Sequence, residues 1–289
     1  MQIIKSIPKL KLRATDAHKG DFGKVCIVAG SVGMSGAAAL AGRSALRAGA
    51  GLVRVAVPKS ILPIVAAIEP SYTTIPLEDA AGQVSRKAVS QLINAVADND
   101  VMAFGCGVGV SSALRSVLET LLALDNLRII IDADGLNNLS KIKDWPAKTK
   151  AKLVVTPHPG EMSRLWQGLF RDNPPVDRQT LAIQFAQRTN STVVLKGAGT
   201  IVADSGQVYV NTTGNPGMAS AGSGDVLTGV ITALAGQGMS NFDAAVYGVY
   251  VHGLAGDIAA EKLGQVSLMA TDIIDYLPQA FTTAQSLKS

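Results

Sequence analysis

Short, uninterrupted apolar runs alternate along the chain with longer stretches whose apolar positions recur at helical spacing. The runs at 25–29, 52–57, 101–104, 128–131, 153–156 and 192–195 are rich in Val, Ile and Leu. Runs without polar alternation predict strands buried on both faces, as in a parallel sheet. Pro58 ends the second run and Pro157 the fifth. Helical spacing predicts helices over 36–48, 85–98, 112–124 and 178–189, a long one over about 224–235, and others near 241–262 and 270–280. Residues 200–203 and 207–210 flank Asp204-Ser205-Gly206 and predict a hairpin. Asn173-Pro174-Pro175 interrupts regular structure in a loop over 171–176. With no repeat and no linker, residues 1–289 are expected to form a single α/β domain, a mainly parallel sheet with helices on both faces.

Ligands of such sheets bind beyond the carboxyl ends of the strands. Glycine and polar clusters at 30–36, 105–109, 132–138, 156–161, 196–200 and 222–225 nearly all follow strands, so they are expected to meet at one edge. Composition narrows the classes. Hydrophobic residues make up 47% and charged residues 17%, which excludes a disordered chain. Aromatics are only 4% and the net charge is +4 with scattered basic residues, so no nucleic-acid surface is expected. Cys26 and Cys106 lie far apart inside apolar runs, as reduced, buried thiols of a cytoplasmic protein do. No leader pattern opens the chain. Arg43, Arg47 and Arg54 break up its richest apolar region, so no membrane contact is expected.

The strongest chemical signal is Asn215-Pro216-Gly217-Met218-Ala219-Ser220-Ala221-Gly222-Ser223-Gly224-Asp225, entering an apolar helix. Small side chains from Ala219 to Gly224 let anionic oxygens reach the backbone, and the unpaired N–H groups of the helix's first turn form an anion site. Asp225 is then a carboxylate beside a bound phosphate, although an Asp there can also serve as a plain cap. Gly30-Ser31-Val32-Gly33-Met34-Ser35-Gly36 invites a dinucleotide-fold reading. Its spacing is wrong for that, and no acidic residue ends the second strand. Asp132 and Asp134 could be read as a metal or acid/base pair. His252, within an apolar helix, is expected to be a satisfied core histidine.

Ala221-Gly222-Ser223-Gly224-Asp225 resembles the anion-hole signature of the ribokinase-like superfamily. Thr156-Pro157-His158-Pro159-Gly160-Glu161, Lys196-Gly197-Ala198-Gly199-Thr200 and Asp132-Ala133-Asp134-Gly135-Leu136-Asn137 narrow the resemblance to the ADP- or ATP-dependent NAD(P)H-hydrate dehydratases. It runs from about 18 to 277 and also includes His18-Lys19-Gly20-Asp21. It implies a ribokinase-like fold and a hydro-lyase that repairs hydrated NADH or NADPH. ADP (or ATP) would phosphorylate the C6 hydroxyl, with Mg²⁺ as cofactor, and phosphate would then be eliminated.

The resemblance also implies roles. Asp225 would be the catalytic base. Ala38, Gly107, Asp132, Asn137 and His158 would join Asp225 in binding the hydrated dinucleotide. Lys196, Gly197, Ala198, Gly199, Thr200, Gly222, Ser223 and Gly224 would bind the adenine nucleotide, and Glu161 would face the metal through water. A homo-oligomer, a tetramer by family habit, is implied. So is a separate epimerase as partner, since the epimerase domain fused to many relatives has no counterpart in these 289 residues. A vitamin-precursor kinase of the same fold and a non-catalytic nucleotide-binding module are the alternatives.

Overall fold

The computed structural model describes residues 1–125 and 127–286. In chain order its elements are β1 (Gln2–Ile4), β2 (Lys24–Val28), α1 (Ser35–Arg47), β3 (Leu52–Pro58), α2 (Leu62–Ile68), β4 (Thr73–Leu77), the small pair β5 (Asp79–Ala80) and β6 (Gln83–Val84), and α3 (Val89–Ala97). Then come β7 (Val101–Phe104), α4 (Ser112–Leu122), β8 (Arg128–Ile131), α5 (Asp134–Leu139), α6 (Trp145–Lys148), β9 (Lys152–Val155), α7 (Pro159–Leu169), α8 (Arg178–Thr189) and β10 (Thr192–Leu195). The chain closes with β11 (Ile201–Ala203), β12 (Gln207–Val210), α9 (Ser223–Gly236), α10 (Asn241–Leu263) and α11 (Ala270–Ser286).

Ten strands form one sheet in the order β1-β12-β11-β10-β9-β8-β7-β2-β3-β4. Only β11 runs antiparallel to its neighbours. The predicted hairpin is β11–β12, closed by Asp204, whose Oδ1 accepts the Gly206 and Gln207 N–H groups. Successive strand residues feed two separate cores, as the period of a pleated strand demands. Val25, Ile27, Ala103, Ile130 and Val154 pack against α1, α2, α9, α10 and α11. Cys26, Val28, Phe104, Ile131 and Val155 pack against α3, α4, α5, α7 and α8. This is the ribokinase-like arrangement of a mainly parallel sheet between helical layers. No helix among the described residues is long and apolar enough to cross a membrane.

Local chemistry sets the helix starts. Ser111, Asp177 and Ser240 cap α4, α8 and α10 by accepting an N–H of the first turn. The helix expected over 85–98 begins only at Val89, because Arg86–Ala88 wind as a tighter 3₁₀ turn. The final helix runs on to Ser286, past the expected 280. Exposed Pro278 faces solvent, while Ile273, Leu277, Ala280 and Ala284 keep a buried stripe at helical spacing.

Candidate active site

The first turn of α9 is built for an anion. Gly222, at φ +90°, turns the chain left-handed into the helix, a conformation in which a side chain is strained. There a Cβ would also sit 2.6 Å from Leu40 Cδ1. The N–H groups of Gly222, Gly224 and Asp225 have no protein acceptor among the described residues. His252 of α10 holds the turn from behind, its Nε2 3.0 Å from Ser223 O. Burial pushes that imidazole down to about 4, so it is neutral and satisfied, as a core histidine should be. It nevertheless forms part of the wall of a cavity of about 800 Å³.

That cavity joins His158, Lys196–Thr200, Asn211–Pro216, Met218–Ser220, Ser223 and Gly224. The expected nucleotide residues therefore converge, apart from Gly222, which borders the space. His158, expected on the hydrated dinucleotide, lines the same cavity. Asn211, Thr212 and Thr213 carry no recognisable motif and were not expected. They follow the carboxyl end of β12, and Gly253 lets them approach α10: a Cβ there would lie 2.3 Å from Thr213 Oγ1. Asn211 Nδ2 fastens the loop to Val249 O at 3.2 Å.

An electrostatic centre lies under the glycine turn. Lys196 Nζ, at the end of β10, is 2.6 Å from Asp132 Oδ1 at the end of β8, and 3.8 Å from Glu161 Oε2. Thr228, one turn along α9, donates to Asp132 Oδ2 at 2.7 Å. Asp132 is only 1% exposed, so each oxygen has a donor where water cannot serve. Burial pulls the Lys196 ammonium down, but the charges of Asp132 and Glu161 outweigh it and hold the group above its ordinary value. The ammonium of Lys196, a residue expected to bind the nucleotide, thus already has a carboxylate partner. Burial, with the charge of Asp132 beside it, raises Asp225 to about 6, while Cys106 and Lys196 pull the other way. Asp225 is therefore a carboxylate whose basicity lies close to neutral pH.

Hydrogen bonds knit the remaining clusters into the same edge. Gly30 N–H donates to Cys106 O at 2.8 Å, Ser31 Oγ to Gly107 O at 2.7 Å, and Gly109 N–H to Asp134 Oδ2 at 2.9 Å. Gly107 is buried at φ +65°. Ala38 is fully buried in the core, so its methyl faces no ligand space. Asn137 Oδ1 accepts Arg164 Nε–H at 3.0 Å. Ala38, Gly107, Asp132, Asn137 and Asp225 do not line the 800 Å³ cavity, although Asp132 Oδ2 lies close under Gly224, which does. His18 is exposed, and its ring pairs locally with Asp21 at 3.1 Å.

His158 caps α7, its Nδ1 accepting the Gly160 and Glu161 N–H groups, while its own N–H donates to Glu161 Oε2 at 2.8 Å. Burial lowers this imidazole and the Lys196 charge adds to the effect, so it stays neutral at physiological pH and can keep accepting. Burial raises Glu161, opposed by Lys196. Hard oxygen donors suit Mg²⁺, which keeps several waters and takes one or two carboxylates plus phosphate oxygens. Glu161, whose Oε2 already accepts the His158 N–H, fits a carboxylate that meets such an ion through water. The tight group of Cys106, Asp132 and Asp225, whose ligand atoms lie within 4.8 Å of one another, is a different matter. Its thiol is held well above the usual value by burial and the neighbouring carboxylates, and neutral sulfur is no donor for magnesium.

Residues 25–279 match the family model described as NAD(P)H-hydrate dehydratase. The bifunctional NAD(P)H-hydrate repair enzyme Nnr of Moorella thermoacetica is 44% identical over 272 residues, 93% of this chain and 51% of that protein. The chain thus spans about half the length of the bifunctional relatives it matches. The ADP-dependent (S)-NAD(P)H-hydrate dehydratase of Neisseria meningitidis serogroup B is 37% identical over 91% of this chain and 86% of its own. Among solved structures, the ADP/ATP-dependent NAD(P)H-hydrate dehydratase from Bacillus subtilis, co-crystallised with ATP/Mg²⁺, superposes with a TM-score of 0.79. It is 26% identical and covers 96% of this chain and 95% of its own.

Proposed function

The chain belongs to the NAD(P)H-hydrate dehydratase family, and from that premise we propose that it is an ADP-dependent (S)-NAD(P)H-hydrate dehydratase with Asp225 as its base. The observation that carries the assignment is a carboxylate raised to about 6 that immediately follows Ser223 and Gly224, the residues by which a turn of unpaired amides lines an 800 Å³ cavity. Such a base is largely ionised at pH 7 yet basic enough to take a hydroxyl proton as the oxygen attacks phosphorus.

In this reading Lys196–Thr200, Gly222, Ser223 and Gly224 hold the nucleotide. Gly107, Asp132, Asn137 and His158 border the hydrated dinucleotide, with Ala38, fully buried, supporting that side of the pocket from beneath. The C6 oxygen bonds to the terminal phosphorus, the bond to the departing AMP breaks, and Asp225 holds the proton. Phosphate then leaves with the C6 oxygen as the ring nitrogen donates electron density and C5 gives up a proton to the departing phosphate, restoring the dihydropyridine. Amides aimed at the transferring group supply most of the stabilisation such a reaction needs. Glu161 would hold Mg²⁺ through water, and the ion would supply neutralisation of phosphate charge.

Buried thiols at Cys26 and Cys106 accord with a cytoplasmic protein, which we take to be a homotetramer working with a separate epimerase. The direct experiment incubates hydrated NADH or NADPH with protein plus ADP, plus ATP, or without nucleotide, and follows recovery of the reduced-cofactor absorbance. Nucleotide-dependent recovery, larger with ADP, is expected. Nucleotide consumption with no recovery would instead mark a kinase of the same fold, and nucleotide binding with neither would mark a non-catalytic module.

A further inference from the structure

Backbone donors can serve a nucleotide only if the carbonyls between them are turned away and satisfied. In the loop after β10 every carbonyl from 195 to 198 has a donor, and one side chain supplies most of them. Arg178, the first residue of α8, donates through Nη1 to Ala198 O at 2.6 Å, and through Nη2 to Lys196 O at 3.2 Å and Leu195 O at 3.4 Å. Thr200 Oγ1 takes the remaining one, Gly197 O, at 3.0 Å. The N–H groups of Gly197, Ala198, Gly199 and Thr200 have no acceptor among the described residues, and all four residues line the cavity. Gly197 at φ +136° and Gly199 at φ +61° provide the reversals that split carbonyls from amides. The fit is close, since a Cβ on Gly197 would lie 2.9 Å from Arg178 Nη2.

Arg178 itself is not part of the cavity wall. Its Nε–H is buried and has no partner among the described residues. An orphaned donor costs stability, and here it accompanies a fork aimed entirely at one loop. We propose that Arg178 is a positioning residue for nucleotide binding: by gripping three carbonyls from outside, it presents the 197–200 amides to the phosphates or ribose of an adenine nucleotide. The inference rests on the nucleotide reading of this cavity and extends it to a residue that never touches the ligand. Geometry and not charge is what the grip requires, because an ammonium cannot span three acceptors as a planar fork does.

The test compares wild type with Arg178→Lys and Arg178→Ala, using ADP as the probe. Dissociation constants come from calorimetry, KM for ADP and for the hydrated dinucleotide are measured separately, and thermal unfolding verifies the fold. A folded Arg178→Lys protein is expected to bind ADP roughly ten- to hundredfold more weakly, the worth of one or two charge-assisted hydrogen bonds. Its KM for the hydrated dinucleotide and its kcat at saturating ADP should stay within about threefold. Millimolar methylguanidinium is expected to restore part of the ADP affinity of Arg178→Ala. Unchanged ADP affinity in folded Arg178→Lys overturns the proposal, as does an equal rise in KM for both substrates, which marks general loosening. If wild type binds no adenine nucleotide, the parent reading falls as well, which separates the two failures.

Discussion

Asp225 and Asp132 face each other across the sheet edge, and their unequal surroundings divide the work between them. Asp132 is locked by Lys196 and Thr228, whereas burial and the charge of Asp132 leave Asp225 as the group of raised basicity. Asp225→Asn is expected to keep ADP affinity while kcat falls roughly 10²–10⁴-fold, the usual worth of a general base. The same substitution should act on stability with a definite sign. A carboxylate whose folded value is raised favours the protonated fold, so its stabilisation is present below its unfolded value and lost as pH rises through about 6. The Asn variant should therefore melt higher than wild type at pH 8, with the gap closing toward pH 4. For Asp132→Asn, two changes push the same way: one negative neighbour disappears, and Lys196 loses its partner. The groups facing Asp225 are Asp132, Cys106, Lys196 and Asp134, so the acid limb of kcat/KM should move to lower pH. A limb that stays in place, or moves up, contradicts this electrostatic picture.

Elements carry these side chains, and the parallel core announces itself in the chain because its strands are dry on both faces. The runs at 101–104, 128–131 and 192–195 become β7, β8 and β10 with identical bounds. The edge is harder to read. β1 offers one half-buried residue in three, and β4 carries Pro76 and only one buried side chain, so neither has an apolar run to betray it. α7 hides for another reason: it opens with Pro159-Gly160, which reads as a loop until His158 is seen capping it. Site residues show the same divide. Those in compact motifs, such as 196–200 and 222–225, are visible locally, whereas Arg178 and Asn211–Thr213 act across long separations that no spacing encodes. Contacts between helices are equally hidden. α9 crosses α1 at Gly229, where a Cβ would come within 2.2 Å of Ala41 O and 2.0 Å of Ser44 Oγ. Gly229→Ala is expected to push the two helices apart at a cost of about 1–3 kcal/mol. Because the anion turn begins α9, ADP affinity should fall too. A denaturation curve and a binding isotherm on the same sample test both.

At the scale of the whole molecule, one edge of the sheet gathers loops from β2, β7, β8, β9, β10 and β12 with the start of α9. A ligand seated there ties together segments from both cores, so binding and global stability are coupled. ADP at a hundred times its dissociation constant should stabilise the fold by about 2.7 kcal/mol, seen as a rise in melting temperature. Asp225→Asn should show the same rise, since its amides remain. The two thiols add a way to watch this opening happen. Cys26 lies mid-sheet and Cys106 beside Asp225, both sealed from solvent and held protonated by burial, Cys26 at about 12. A disulfide reagent added to the native protein should meet no nucleophile, and colour should develop only as fast as the protein breathes. ADP should slow Cys106 more than Cys26. Two native thiols would then work as separate stopwatches, one for the sheet and one for the doorway of the site, each silent until its own part of the fold lets go.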